Sequence, residues 1–230
     1  MSDKLFYLLQ INDALFPIGG YSHSQGLETY IQKGIVHDQA SAARYLQQKL
    51  CWSTAPAELL AVRLVHEYAA TSDLCGILRI ETLLDASRIP AEQRDASRKM
   101  GARFAKTMGK LELPIPPKSI FHQYLQTREG TSMNHCCIYG VFCAAMEIGL
   151  EETLTHYLYA QTSAMATNCV KTVPLSQSTG QKLLSACYPC MQELIQQAKG
   201  QTEDDLCLSA PGFDIRGIQH ERLYSRIYMS

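Results

Sequence analysis

Apolar residues recur along most of the chain at intervals of three and four, the spacing that lines one face of an α-helix. No run alternates apolar and polar residues between hairpin turns, so helices are predicted throughout. The first covers residues 4–14. Pro17, Gly19 and Gly20 then break the chain. Ser22 and Gln25 have the spacing of a capping box, which predicts a helix over 23–33 with Gly34 as its left-handed stop. A third helix covers 39–52. Thr54 is placed to cap a fourth, with Pro56 in its first turn, where a missing N–H costs nothing. Leu60, Leu64 and Tyr68 form that helix's stripe. Another helix follows over 74–86.

Pro90 opens a longer helix, to residue 110, with the stripe Met100, Phe104, Met108 and Leu111. The loops "LPIPPKS" and "REGTS" flank a short helix over 119–127. Residues 133–148 are apolar on nearly all sides, which predicts the most buried helix. A helix over 152–171 follows. Pro174 then introduces a last long helix, to 199. Its stripe of Leu184, Cys187, Met191, Leu194 and Ala198 suits packing against another helix. After Gly200 the stripe ends, and residues 201–230 read as an extended tail. No repeat, low-complexity tract or Pro/Gly/Ser-rich linker divides the chain. The prediction is a single all-α domain over 1–200, a bundle of about nine to ten helices, with a C-terminal tail over 201–230.

Composition narrows the classes of function. The chain has 230 residues and is 46% hydrophobic, enough for a sizeable core. Its 21 basic and 22 acidic side chains leave a net charge of −1, which argues against a general nucleic-acid binder. "LFYLLQI" has the wrong flanks for an export signal, and "CCIYGVFCAAM" is too short to span a bilayer. A cytoplasmic protein is expected. The nine cysteines lie mostly inside apolar runs, as reduced core thiols do.

Candidate chemistry is sparse. Cys187 and Cys190 form a C-x-x-C, but no βαβ pattern surrounds it, and two core cysteines beside a Pro189 kink is the preferred reading. His135, Cys136 and Cys137 are adjacent, which suits a closed metal site poorly. No P-loop, dinucleotide fingerprint or nucleophile elbow occurs. The Gly-Gly turn before a helix start could receive an anion. No lysine follows to complete a phosphate cradle, however, and Glu28 already complements the helix dipole there. Lys99, Arg103, Lys106 and Lys110 share one face of their helix, either as a solvated face or as a strip for an acidic partner. The tail carries Phe213, Tyr224, Tyr228, Arg216, Arg222 and Arg226, residue types that anchor interfaces. It either packs on its own domain or orders on a partner.

Three segments carry a resemblance. "LLQINDALFPIGGYSHSQGLE" near the start, "NCVKTVPLSQSTGQKLL" in the last third and "HERLYSRIYMS" at the end are similar to signature segments of UreF-type urease accessory proteins. The resemblance implies an all-α homodimer with a non-enzymatic role in maturing the nickel enzyme urease. It implies binding to the UreD/UreH-type accessory protein, recruitment of the GTPase UreG, and delivery of nickel and CO2-derived carbamate chemistry to apo-urease. No cofactor is expected on the chain itself, because the assembly handles nickel and GTP. No nucleic-acid or membrane partner is expected.

By motif position, the resemblance links Tyr21 and Arg226 to recruiting the GTPase and sets Glu28 on the GTPase-facing surface, with Lys171 beside it. His220, Glu221 and Tyr224 lie in the tail signature and join the partner-binding set. The family tail orders on its partner, which favours the partner reading for residues 218–230. His23 is given no ligand role. The competing expectations are an all-α thiol- or metal-binding enzyme using Cys187 and Cys190, and a stand-alone nickel metallochaperone.

Overall fold

The structure is a computed structural model that describes residues 3–208 and 210–230. All its regular elements are helical, with no strand among the described residues. They are α1 (Lys4–Asn12), α2 (Leu27–Gln32), α3 (Gln39–Lys49), α4 (Leu60–Ala70), α5 (Leu74–Ser87), α6 (Ala91–Met108), α7 (Ile120–Thr127), α8 (His135–Ala145), α9 (Leu150–Thr172), α10 (Gln177–Ala186), α11 (Tyr188–Gly200) and α12 (Pro211–His220).

The helix that is apolar all round lies at the centre, as its pattern requires. In α8 every residue from His135 to Cys143 is buried. It packs chiefly on α4 and α6, with α5, α7 and α9 completing its surroundings. The α4 contact depends on Gly140, where an added Cβ would lie 2.6 Å from Val65 Cγ2 and 2.8 Å from the Val62 carbonyl oxygen. Phe142 meets Phe104 and Phe121 edge-on, with ring centroids 5.6 and 5.5 Å away. Each such ring contributes about 1.5–3 kcal/mol by leaving water.

One buried polar hub sits beside this core. Glu81 of α5 accepts from the Asn134 N–H at 2.6 Å and from Tyr124 Oη at 2.9 Å, and Arg128 Nε lies 2.8 Å from its other oxygen. Burial still pushes its pKa up, despite those partners.

The structure departs from the predicted boundaries at four places. Ser22 and Gln25 form no capping box. Ser22 Oγ donates instead to the Gly19 carbonyl at 2.8 Å, closing a 3-10 turn over Gly20–Ser22. Gln25 and Gly26 take left-handed φ values of 54° and 85°, so α2 starts only at Leu27. The reason is tertiary: the N–H groups of Ser24 and Gln25 donate to the Ser230 carbonyl, at 2.6 and 2.9 Å. Gly34 does take the left-handed conformation, at φ 67°.

The second departure is that no break separates the third and fourth helices. A π-helical segment, Leu50–Leu59, joins α3 to α4 and carries Pro56 inside it. Wider winding accommodates a residue that lacks an N–H. Thr54 is buried there and caps nothing, while the Pro56 carbonyl accepts from Cys207 N at 2.8 Å.

Third, the last long helix divides at Cys187, where Pro189 enters the first turn of α11. Leu184, Cys187, Met191, Leu194 and Ala198 remain buried across the break, so the stripe outlives the single helix it suggested. Fourth, the segment read as extended contains α12. Phe213 of that helix sits against Tyr30 and Tyr45, with centroids 5.8 and 6.1 Å away, and the Lys49 ammonium lies 4.9 Å from its ring. Such an aromatic cluster, with a cation over one face, is reason enough for a short helix to dock.

Candidate functional site

The opening loop and the end of the chain build one surface together. Gly19 takes φ 79°, and Arg103 lies across it, donating to the Ile18 carbonyl at 3.2 Å. The left-handed φ is what favours glycine here; a Cβ would lie 1.9 Å from the guanidinium, a clash the flexible Arg103 side chain could relieve by moving. The 3-10 turn that follows holds Tyr21 outward, 73% exposed. Lys99 and Lys106 are exposed on the same helix as Arg103, and Lys110 is exposed in the turn that follows it. Among the described residues none of these four basic groups lies within 4 Å of a carboxylate.

Glu28 does not lie on the surface where its motif position set it. It is buried beneath the tail and satisfies that segment's backbone. The Ile227 N–H donates to Glu28 Oε1 at 2.7 Å, and the Tyr228 N–H donates to Oε2 at 3.0 Å. His220, also fully buried, places Nε2 3.1 Å from Glu28 and Nδ1 2.7 Å from Glu92. Arg226 closes the cluster with a short hydrogen bond to Glu92. Burial opposes ionisation of Glu92, but the hydrogen bonds from His220 and Arg226 outweigh it and hold its pKa below the ordinary carboxylate value.

A second set of contacts fixes the last residues. Ser24 Oγ donates to the Ser230 carbonyl at 2.9 Å, and His23 Nδ1 lies 2.9 Å from Ser230 Oγ. Asn168 of α9 holds the His23 carbonyl at 3.0 Å. His23 is therefore a tail contact. Burial, then the nearby Arg103 and Lys99 charges, lower its pKa.

With the tail held this way, side chains alternate along it. Tyr228 and Ser230 point inward, while Ile227 and Met229 are 77% and 57% exposed. Tyr224 is fully exposed. The Met229 N–H donates to the Ser22 carbonyl at 2.8 Å, which brings the exposed Met229 side chain next to the turn that carries Tyr21. Tyr21 and Lys171 line one groove of about 370 Å³, together with Ser24 and Asn168. Glu221 is exposed and accepts from the Ala91 N–H at the start of α6, 3.2 Å away.

The seven residues singled out in the sequence thus fall into two roles. Tyr21, Lys171 and Tyr224 are exposed, Glu28 and His220 are buried and hold the tail in place, and the exposed Glu221 and Arg226 also tie it to α6. Glu92, Ser24 and Asn168 complete the arrangement. They were missed because nothing in an isolated acidic or amide side chain reports a partner over a hundred residues away.

An internal cavity of about 340 Å³ is lined by Lys49, Ser53, Glu58, Arg88 and Asp214. Burial lowers the Lys49 pKa to about 8, and Arg88 pairs with Glu58 at 2.9 Å. Burial also raises the thiols of Cys187 and Cys190, the latter to about 12, so neither is poised as a nucleophile. Among the described residues, no three His, Cys, Asp or Glu side chains gather as a metal-holding group. Among the described residues no helix is long and apolar enough to cross a membrane. In a comparison with family models, residues 36–188, well over half of the chain, match the one described as UreF.

Proposed function

The chain belongs to the UreF family of urease accessory proteins, and on that premise we propose that it is a non-enzymatic scaffold for loading urease with nickel. In this reading it works in the cytoplasm as a homodimer. It binds the UreD/UreH-type accessory protein, and the complex recruits the GTPase UreG for GTP-dependent nickel insertion into apo-urease. Residues 201–230 are the partner-binding segment. The chain holds no cofactor of its own, and the assembly handles nickel and GTP.

One observation carries the proposal. The tail is anchored by its backbone and by inward side chains, while Tyr224, Ile227 and Met229 are left exposed, Met229 next to the turn that carries Tyr21. Exposed aromatic and apolar residues over a rigid support suit an interface, where such side chains supply most of the binding energy. A scaffold for a GTPase needs no phosphate cradle of its own. The raised thiols of Cys187 and Cys190 weigh against the thiol-enzyme reading.

Mixing the full chain with the UreD/UreH-type protein and UreG, with and without GTP and nickel, tests this directly by the masses of the complexes. A stable complex with both is the expected result. Absence of any complex would overturn the proposal. Stoichiometric nickel retention by the isolated chain in equilibrium dialysis would instead favour a stand-alone metallochaperone.

A further inference from the structure

The Cys187–Cys190 spacing conceals a different thiol pair. Cys187 Sγ donates to the Leu183 carbonyl at 3.3 Å. Cys190 Sγ meets Cys51 Sγ, 3.6 Å away and 139 positions distant in sequence. Cys51 lies in the π-helical segment and Cys190 in the first turns of α11, two elements in direct contact. Both residues are only half-buried, so a small oxidant reaches them. Cys136, Cys137, Cys143, Cys169 and Cys187 are buried.

We propose that Cys51 and Cys190 are a modification site, closing under hydrogen peroxide to a reversible disulfide that staples the π-helical segment to α11. One sulfur attacks the peroxide oxygen, the O–O bond breaks, and a sulfenic acid forms as the first water leaves. The second sulfur then displaces the sulfenic hydroxyl, which departs with a proton as the second water. The two sulfurs together lose two electrons, and one peroxide becomes two waters. From contact distance, about 1.5 Å of approach completes the bond.

The link acts at two levels. It closes a long loop of chain, which stabilises the fold chiefly by restricting the unfolded state. It also ties Leu50–Leu59, whose Ser53, Thr54 and Glu58 line the internal cavity, to the body of α11. Burial and the Cys51 contact push the Cys190 thiol up to about 12, so attack by Cys190 is favoured by alkali.

The test treats the full-length reduced protein with hydrogen peroxide under native conditions, blocks free thiols and maps peptides without reduction. The expected result is a linked Cys51–Cys190 peptide pair, loss of two hydrogens per chain and a raised Tm. Dithiothreitol should reverse all three. Cys187→Ser should leave the link intact, while Cys51→Ser and Cys190→Ser should abolish both link and Tm shift. A Cys187–Cys190 link, or Cys51 and Cys190 still alkylated after exposed Cys75 has been oxidised, would overturn the proposal. Peptide mapping of the unmutated chain decides the matter even where a variant folds poorly.

Discussion

At the residue scale, Glu28 has the most exacting position in the candidate surface. Its carboxylate receives two backbone N–H groups and faces His220. Glu28→Ala leaves those buried donors without an acceptor and is expected to cost about 2–4 kcal/mol, read as a lower denaturation midpoint. Amide exchange over residues 221–230 should rise at the same time. Glu28→Gln, which keeps one acceptor oxygen, should fall between the two. Tyr21→Ala removes only an exposed ring. It should leave Tm unchanged and weaken assembly with the GTPase; a large drop in Tm with assembly intact would make Tyr21 structural.

Glu92 adds a dependence on pH. Its folded pKa lies below the ordinary carboxylate value, so its contribution is complete above that value and is lost as pH falls through the depressed one. Protection of the tail amides, measured against their intrinsic exchange rates, should therefore fall on acidification below the usual carboxylate range. Glu92→Gln should flatten that part of the profile.

At the scale of elements, close helix approach rather than propensity sets the tolerances. Gly140→Ala drives a Cβ into the Val62 carbonyl oxygen and Val65 across the α4–α8 contact. Separating those helices is expected to cost about 1–3 kcal/mol, with a lower Tm. Gly200→Ala at the end of α11 meets nothing within 4 Å and has no left-handed φ to strain it. It should be neutral or slightly stabilising by the same thermal scan.

Element boundaries show where local reading succeeds. Gly34 and the 119–127 helix follow from local signals, since a left-handed stop and the Ser119 cap act within a few residues. Pro56 and Pro189 mislead because proline marks a local constraint without saying how the backbone meets it. At Pro56 the helix widens and continues, while at Pro189 a new helix begins.

At the scale of the whole molecule, the tail is a clasp laid over α2 and the start of α6. Residues 221–230 meet the α4–α6–α8 centre at the start of α6, where Glu221 accepts from the Ala91 N–H and Arg226 reaches Glu92. Deleting those ten residues should leave a cooperative helical unfolding transition by circular dichroism and abolish binding to the UreD/UreH-type partner. Full-affinity binding by the truncated chain would remove the tail from the proposed interface. The exposed basic strip on α6 is a second surface continuous with the opening loop through Arg103. Its contribution to assembly would appear as a salt-sensitive loss on charge reversal at Lys99 or Lys106.

Helical periodicity determined the all-α class, the central position of α8 and the buried stripe through α10 and α11, because a 3.6-residue period is a property of neighbours in sequence. The candidate surface was legible only in part. The segments carrying Tyr21, Glu28, Lys171 and Arg226 could be picked out, but not which side chains face outward. Tertiary structure decided that. Ser230 takes the N–H groups that a longer α2 would have used, and Glu28 turns inward because the tail's backbone donors must find an acceptor. Cys190 likewise meets Cys51 rather than its neighbour in the C-x-x-C. Each of these is a pairing between residues far apart in the chain, whose geometry exists only once the helices have packed.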